Sequence, residues 1–162
     1  MTDHVARVME QWRQERPDLD PSPQGVIGRL HRIGLRLSEE LLAVYAEFGL
    51  GEGEFDILAT LRRQGPPYAL TPGDLAGQTM VTTGAVTKRV DRCIAQGWVT
   101  REVSADDGRG RVIALTDLGR ALIDRAFTAH MTNETRMLAH FSPAERDVLA
   151  QLLQRWAEEL GL

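Results

Sequence analysis

The most constraining part of this 162-residue chain is the stretch from Leu70 to Gly119. Thr71 followed by proline, glycine and aspartate is typical of a helix start, because the hydroxyl and the acid both suit free backbone N–H groups. The spacing predicts a short helix that ends near Gln78, a turn, and a second helix from Val81 or Thr82 to Gln96. Gly97 suits the left-handed residue that ends such a helix.

Two segments with alternating apolar residues follow, over Trp98–Val103 and Arg111–Leu115. Between them, Asp106-Asp107-Gly108 predicts a hairpin turn. A helix, a turn, a polar helix and a hairpin in this order are typical of a winged helix-turn-helix, which presents one helix to the major groove of DNA. The predicted fold class is therefore mainly α with a small β-wing.

Further helices are predicted on both sides of this stretch from apolar residues at three- and four-residue steps. Ser22 followed by proline is expected to cap a long helix, and Ser142 with Glu145 is typical of a capping box. The expected spans are Asp3–Glu15, Ser22–Phe48, Gly53–Arg63, Thr116 to about His140, and Ser142–Leu160.

The long outer helices carry more apolar surface than a small wing domain can cover. One interpretation is that they only complete a monomeric core. The favoured interpretation is a homodimer interface, which would place two helix-turn-helix units roughly 34 Å apart on a palindromic operator.

Composition excludes several classes of protein. A run of about 18 apolar residues, as in a membrane span, is absent, and the first residues lack the apolar region of a signal peptide. The single cysteine, Cys93, rules out an internal disulfide and favours a reducing cytoplasm. The four histidines show no ligand spacing, and no nucleophile–base pair is evident, so we expect no metal, no cofactor and no catalysis.

The net charge of −4 is unevenly distributed. Residues 65–116 hold six cations and five anions, whereas the rest of the chain holds 13 cations and 18 anions. The predicted DNA-reading segment is thus the more basic one, as expected where phosphates bind.

Small hydroxyls and cations near the start of the second helix predict direct DNA contacts, helped by free N–H groups. On the hairpin, Arg109 suits the minor groove, Asp107 can orient it, and Arg111 suits a phosphate. The alternative is an ordinary solvated helix and a turn with a surface ion pair. The candidate DNA-binding residues are Thr71, Thr82, Thr83, Thr87, Lys88, Arg109 and Arg111, with Asp107 as the wing-orienting residue.

The wing signature Asp107-x-Arg109, followed by Leu115-Thr116-x-x-Gly119, resembles the MarR family of bacterial transcription regulators. The resemblance extends over residues 22–160. It implies a dimeric repressor that leaves double-stranded DNA when a small, often phenolic or acidic, ligand binds. Residues 1–162 are then one MarR-like domain, with an extra helix at 1–20, a winged helix-turn-helix at 53–116, and dimerisation helices at 22–48 and 117–162.

A narrower resemblance links the segments Trp12–Ser22, Gly53–Leu58 and Gly65–Pro72 to the urate-responsive branch of that family. It implies that the effector is urate or a related planar or carboxylate anion. The ligand residues that it implies are Trp12, Asp56, Arg89 and Arg101.

The chemistry of these four side chains suits a planar anion. Trp12 offers an aromatic surface and Arg89 a planar fork of donors. Asp56 is expected to pair with Arg101 and to repel the anion, so that binding pushes the second helix. The alternatives are that Trp12 merely packs and Asp56–Arg101 is structural, or that the chain is a ligand-independent DNA-binding or dimerisation protein.

Overall fold

The computed structural model describes residues 3–79, 86–103 and 111–162, which form two compact units, one up to Ala43 and one from Val44. The start of the second helix of the helix-turn-helix and the predicted hairpin turn lie outside the described residues. Among the described helices, none is long and apolar enough to cross a membrane.

The first unit consists of α1 (His4–Glu15) and most of α2 (Gln24–Glu47). Asp3 caps α1 by accepting a hydrogen bond from the Ala6 N–H at 2.8 Å, and it accepts another from Arg29 Nε of α2 at 2.7 Å. The bonds from Arg29 and Ala6 lower the pKa of Asp3 to about 2. Val5 is buried against Gly28, where an added methyl group would come within 3.3 Å of it. The two helices are thus joined by a charged contact and an apolar one.

The predicted cap of α2 at Ser22 is wrong. The helix begins at Gln24, and the Ser22 hydroxyl donates to Asp20 Oδ2 at 2.6 Å. The Ser22 N–H donates to the other oxygen of Asp20 at 2.9 Å. A carboxylate two residues earlier is a strong acceptor for both groups and forms a local turn instead of a cap.

The second unit is built around α3 (Glu52–Arg63), which packs on α4 (Pro72–Gln78), α5 (Val86–Ala95), α6 (Asp117–Met137) and the sheet. Helix α3 is buried along most of its length because it has neighbours on several sides. The large side chains with less than 2% exposure in this core include Ile57, Leu58, Leu61, Leu75, Ile113 and Ile123.

A three-stranded antiparallel sheet completes the winged helix-turn-helix, in the order β1 (Ala69–Leu70), β3 (Arg111–Leu115), β2 (Val99–Val103). Strand β2 pairs with β3 in a register that opposes Val99 to Leu115. The sequence did not predict β1, because two residues are too few to show an alternating pattern. The predicted fold class, mainly α with a small β-wing, is confirmed.

Local capping signals place most of the remaining helix ends correctly. Thr116 accepts from the Gly119 N–H at 2.9 Å and starts α6, which ends at Met137, slightly before the predicted His140. Ser142 forms the predicted capping box of α7 (Pro143–Glu159). Gly97 ends α5 with a φ of +72°, as predicted.

Cys93 is fully buried on α5. Burial raises the pKa of its thiol to about 12, with the carboxylate of Glu54 acting in the same direction and Arg92 in the opposite one. Because the thiolate is the reactive form, the folded protein should keep this thiol inert near neutral pH.

We therefore expect Ellman's reagent at pH 8 to label Cys93 in the folded protein roughly a thousand times more slowly than in the urea-unfolded chain. The rate in the folded protein should rise with pH, since deprotonation is what limits it. Fast, stoichiometric labelling of the folded protein at pH 8 would contradict the buried assignment.

Candidate nucleic-acid interface and effector site

Helix α5 has one buried face and one solvent-exposed face. Val86, Val90 and Cys93 are buried, whereas Thr87 and Lys88 are exposed. This division follows from helical geometry, since residues three and four apart share a face. Two of the predicted DNA-binding side chains therefore lie in solvent on the helix that the core holds in place.

Other predicted DNA-binding residues surround this helix. Thr71 is exposed, but its hydroxyl caps α4: it accepts from the Asp74 N–H at 3.1 Å and donates to Asp74 Oδ2 at 2.7 Å. Arg111 is exposed at the start of β3, where it opposes Val103 of β2. Four predicted residues lie outside the described ones: Thr82, Thr83, Asp107 and Arg109.

One flank of α5 is held against the first turn of α3. The guanidinium of Arg89 lies over Gly53, so that a methyl group added there would overlap its Nε and Cδ atoms. Among the described residues, Arg89 Nη1 is a buried donor without a hydrogen-bond partner. A buried donor without an acceptor is costly, so this nitrogen is a point at which a ligand acceptor would be favoured. Gly53 and Asp56 are three residues apart and share a face of α3.

The same flank carries a second contact between these helices. Arg92 Nε and Nη2 approach Oε1 of Glu54 at 2.6 and 2.5 Å. The Glu54 side chain is 11% exposed, whereas that of Arg92 is 63% exposed. Sequence reasoning missed this ion pair. The only signal for it was the three-residue spacing of Arg89 and Arg92, which places both cations on one flank.

The structure corrects the predicted Asp56–Arg101 pair. Arg101 of β2 pairs with Asp91 of α5, with Nη2 and Oδ1 3.1 Å apart. Asp56 is buried on α3, and its Oδ1 accepts from the Thr60 hydroxyl at 3.5 Å. Asp91 is exposed on α5, so Arg101 can pair with it while staying in contact with water. A pair with the buried Asp56 would require the Arg101 guanidinium to be desolvated.

Arg89 and Arg101 therefore act on different flanks of α5. Asp91 and Arg89 are two residues apart, so their side chains project about 160° from one another around the helix. Near Arg101, a cavity of about 80 Å³ is lined by Thr87, Val90 and neighbouring residues of α4 and β3. Trp12 lies on α1 of the first unit and is 47% exposed.

Comparison with known proteins identifies the family to which this chain is similar. Residues 48–110 match the profile of the MarR family. The HTH-type transcriptional regulator PecS of Dickeya dadantii is 42% identical over 156 residues, which cover 96% of this chain and 94% of that protein.

Two solved structures share the fold. AbsC, a MarR family transcriptional regulator from Streptomyces coelicolor, has a TM-score of 0.77 and 23% identity, with 88% of this chain and 96% of that one covered. A mutant MarR from E. coli complexed with operator DNA has a TM-score of 0.69 and 23% identity, with 89% and 96% covered. Together with the identity to PecS across nearly the whole chain, the winged helix-turn-helix shows that this chain belongs to the MarR family of transcriptional regulators and is not an enzyme.

Proposed function

We propose that this protein binds a palindromic operator as a homodimeric repressor, with α5 in the major groove and the wing beside it. The observation that carries the proposal is α5 itself, which exposes Thr87 and Lys88 while its opposite face is fixed in the core. Exposed hydroxyl and ammonium groups on a rigid helix suit base edges and phosphates. The fold shared with a mutant MarR complexed with operator DNA supports DNA binding. Such a regulator would act in the bacterial cytoplasm, where its operator lies.

The homodimer is supported by apolar surface that each helix leaves exposed. Helix α7 buries no residue, and α2 buries only Tyr45. Exposed apolar patches of this extent mark interfaces, and a second copy of the same helices is the simplest cover for them. The exposed side chains include Ile27, Leu30 and Ile33 of α2, Phe127 and Met131 of α6, and Val148, Leu149, Leu152 and Leu153 of α7.

We expect sedimentation velocity at micromolar concentration to give a dimer of the 18.0 kDa chain. Replacing Leu152 and Leu153 by serine should shift the protein toward monomer, because both side chains lie on α7 with 50% and 41% of their surface exposed. A folded wild-type monomer that binds the operator would refute the dimer.

We expect Lys88→Ala to weaken binding to the DNA upstream of the protein's own gene by about tenfold, because one cation of the reading face is lost. The dependence of log K on log salt should fall by about 1 for each phosphate contact removed per protomer. Arg125→Ala on α6, an exposed site with the same loss of charge, is the matched control. Equal effects of the two variants would refute a specific contact by Lys88.

The proposed effector is urate or a related planar or carboxylate anion, bound at Arg89 on the side of α5 that faces α3, where Asp56 also lies. Because Arg101 pairs with Asp91 on the other flank, one anion would engage both arginines only if α5 moves. The buried, unpartnered Nη1 of Arg89 supports this proposal, since an anion would supply the missing acceptor. The part of Trp12 rests on sequence resemblance alone. Among the described residues no protein acceptor bonds to Nη1, so an anion could bind there without displacing one.

The small cavity near Arg101 suggests how such a ligand would act. Its volume of about 80 Å³ is below the roughly 150 Å³ of a cavity that admits benzene. A purine-sized anion that engages Arg101 would therefore enter only if α4 and α5 move apart. A ligand that binds the moved state better than the DNA-binding state shifts the population away from DNA.

We expect calorimetry to detect urate binding to the wild type and not to Arg89→Ala, and urate to weaken the operator complex of the wild type alone. Arg125→Ala should keep both responses. Absence of heat up to millimolar urate would refute urate as the effector. Operator binding that no tested anion changes would favour the alternative, a ligand-independent DNA-binding protein.

A further inference from the structure

Among the residues that the structure describes, the ion pair between Glu54 and Arg92 is the one contact of α5 in which a buried acid meets an exposed base. Glu54 lies in the first turn of α3, 38 residues before Arg92 in sequence, and its side chain is 11% exposed. A buried carboxylate that loses its partner is left with an uncompensated charge. Positions of α5 that separate the two groups are therefore disfavoured.

We propose that Glu54, acting through Arg92, sets the orientation in which α5 is presented to DNA. Glu54 is then a positioning residue for DNA binding and does not itself touch DNA. This inference rests on the proposed function, since it concerns the same helix. Glu54 lies within the Gly53–Leu58 segment, but it is not among the DNA-binding or ligand residues predicted from the sequence.

Arg92 has a second possible role that the experiment must separate from this one. It lies one turn after Lys88, and its exposed guanidinium could reach a phosphate directly. The two roles predict opposite results when Glu54 is neutralised. A direct contact would be strengthened, because Arg92 would be released and the protein would lose a negative charge. If Glu54 instead positions α5, neutralising it would weaken DNA binding.

The first measurement compares Glu54→Gln with Asp124→Asn in binding to the DNA upstream of the protein's own gene. Both variants remove one negative charge and one cross-helix ion pair. Asp124 pairs with Arg62 at 2.7 Å and so connects α6 to α3 without involving α5. We expect Glu54→Gln to bind about tenfold more weakly, comparable to the loss of one DNA contact. Asp124→Asn should bind as the wild type or slightly more tightly. Wild-type or tighter binding by Glu54→Gln would overturn the inference.

Variants of Arg92 provide the second test. Both of its nitrogens approach the same oxygen of Glu54, so a lysine ammonium can replace them. We expect Arg92→Lys to keep most of the affinity and Arg92→Gln to lose about as much as Glu54→Gln. The double variant should be no weaker than either single one, since both remove one interaction. A salt slope that falls by about 1 in Arg92→Gln would show a phosphate contact and overturn the inference.

The third measurement needs no DNA. Hydrogen exchange of the α5 backbone amides, followed by mass spectrometry, reports whether α5 stays in place. Labelling of Cys93 would not serve, because the Glu54 carboxylate itself raises the pKa of that thiol, and removing the charge would change the labelling rate without any movement of α5. We expect faster exchange in Glu54→Gln and unchanged exchange in Asp124→Asn, at a temperature where thermal melts show both variants folded. A wild type that binds no DNA would refute the proposed function. Unchanged affinity and unchanged exchange in Glu54→Gln, beside a wild type that binds DNA, would refute this inference alone.

Discussion

The contact of α5 with the first turn of α3 is the constraint on which the DNA-reading surface depends. Gly53 has no side chain, and this leaves the space in which the Arg89 guanidinium lies. The next residue, Glu54, supplies the carboxylate for Arg92. Between these contacts and the Arg101–Asp91 pair, the apolar stripe of α5 is buried in the core. The helix is thus held by packing along one face and by charge on both flanks.

The far end of α5 is joined to the wing and to α6 at a single junction. Gly97 turns the chain out of α5, and Thr116 donates a hydrogen bond to its carbonyl oxygen at 2.8 Å. Gly119 lies so close to the Trp98 carbonyl that a methyl group there would overlap it. Because these contacts are tight and involve backbone atoms, they fix the end of α5 relative to the starts of β2 and α6.

The outer helices show why one chain is an incomplete structure. The core of the second unit is closed by α3, α6 and the sheet, whereas α7 has no buried residue. Capping and helical propensity favour the helical conformation of α7. Most of the stability of a helix comes from packing of its apolar face, so α7 needs a partner surface. A second copy supplies that partner in the proposed dimer, and the spacing of the two α5 helices would then follow from the interface and not from the wing domain.

Features that depend on near neighbours along the chain could be predicted from the amino-acid sequence. Threonine and serine caps and the glycine after α5 act over a few residues, so helix ends and the order of the elements could be predicted from them. The alternation expected in β3 is not observed, because this central strand buries both Ile113 and Ala114. The cap at Ser22 failed because Asp20, equally near, was a better acceptor.

The pairing of charged side chains depends on contacts between segments that are distant in sequence. Arg101 pairs with Asp91 and not with Asp56, and Glu54 pairs with Arg92 across 38 residues. The chain holds 19 lysines and arginines and 23 acids, so composition and spacing leave many pairings open. The packing of α3, α5 and β2 selects among them, because an ion pair forms only where the folded backbone brings the two groups within about 4 Å.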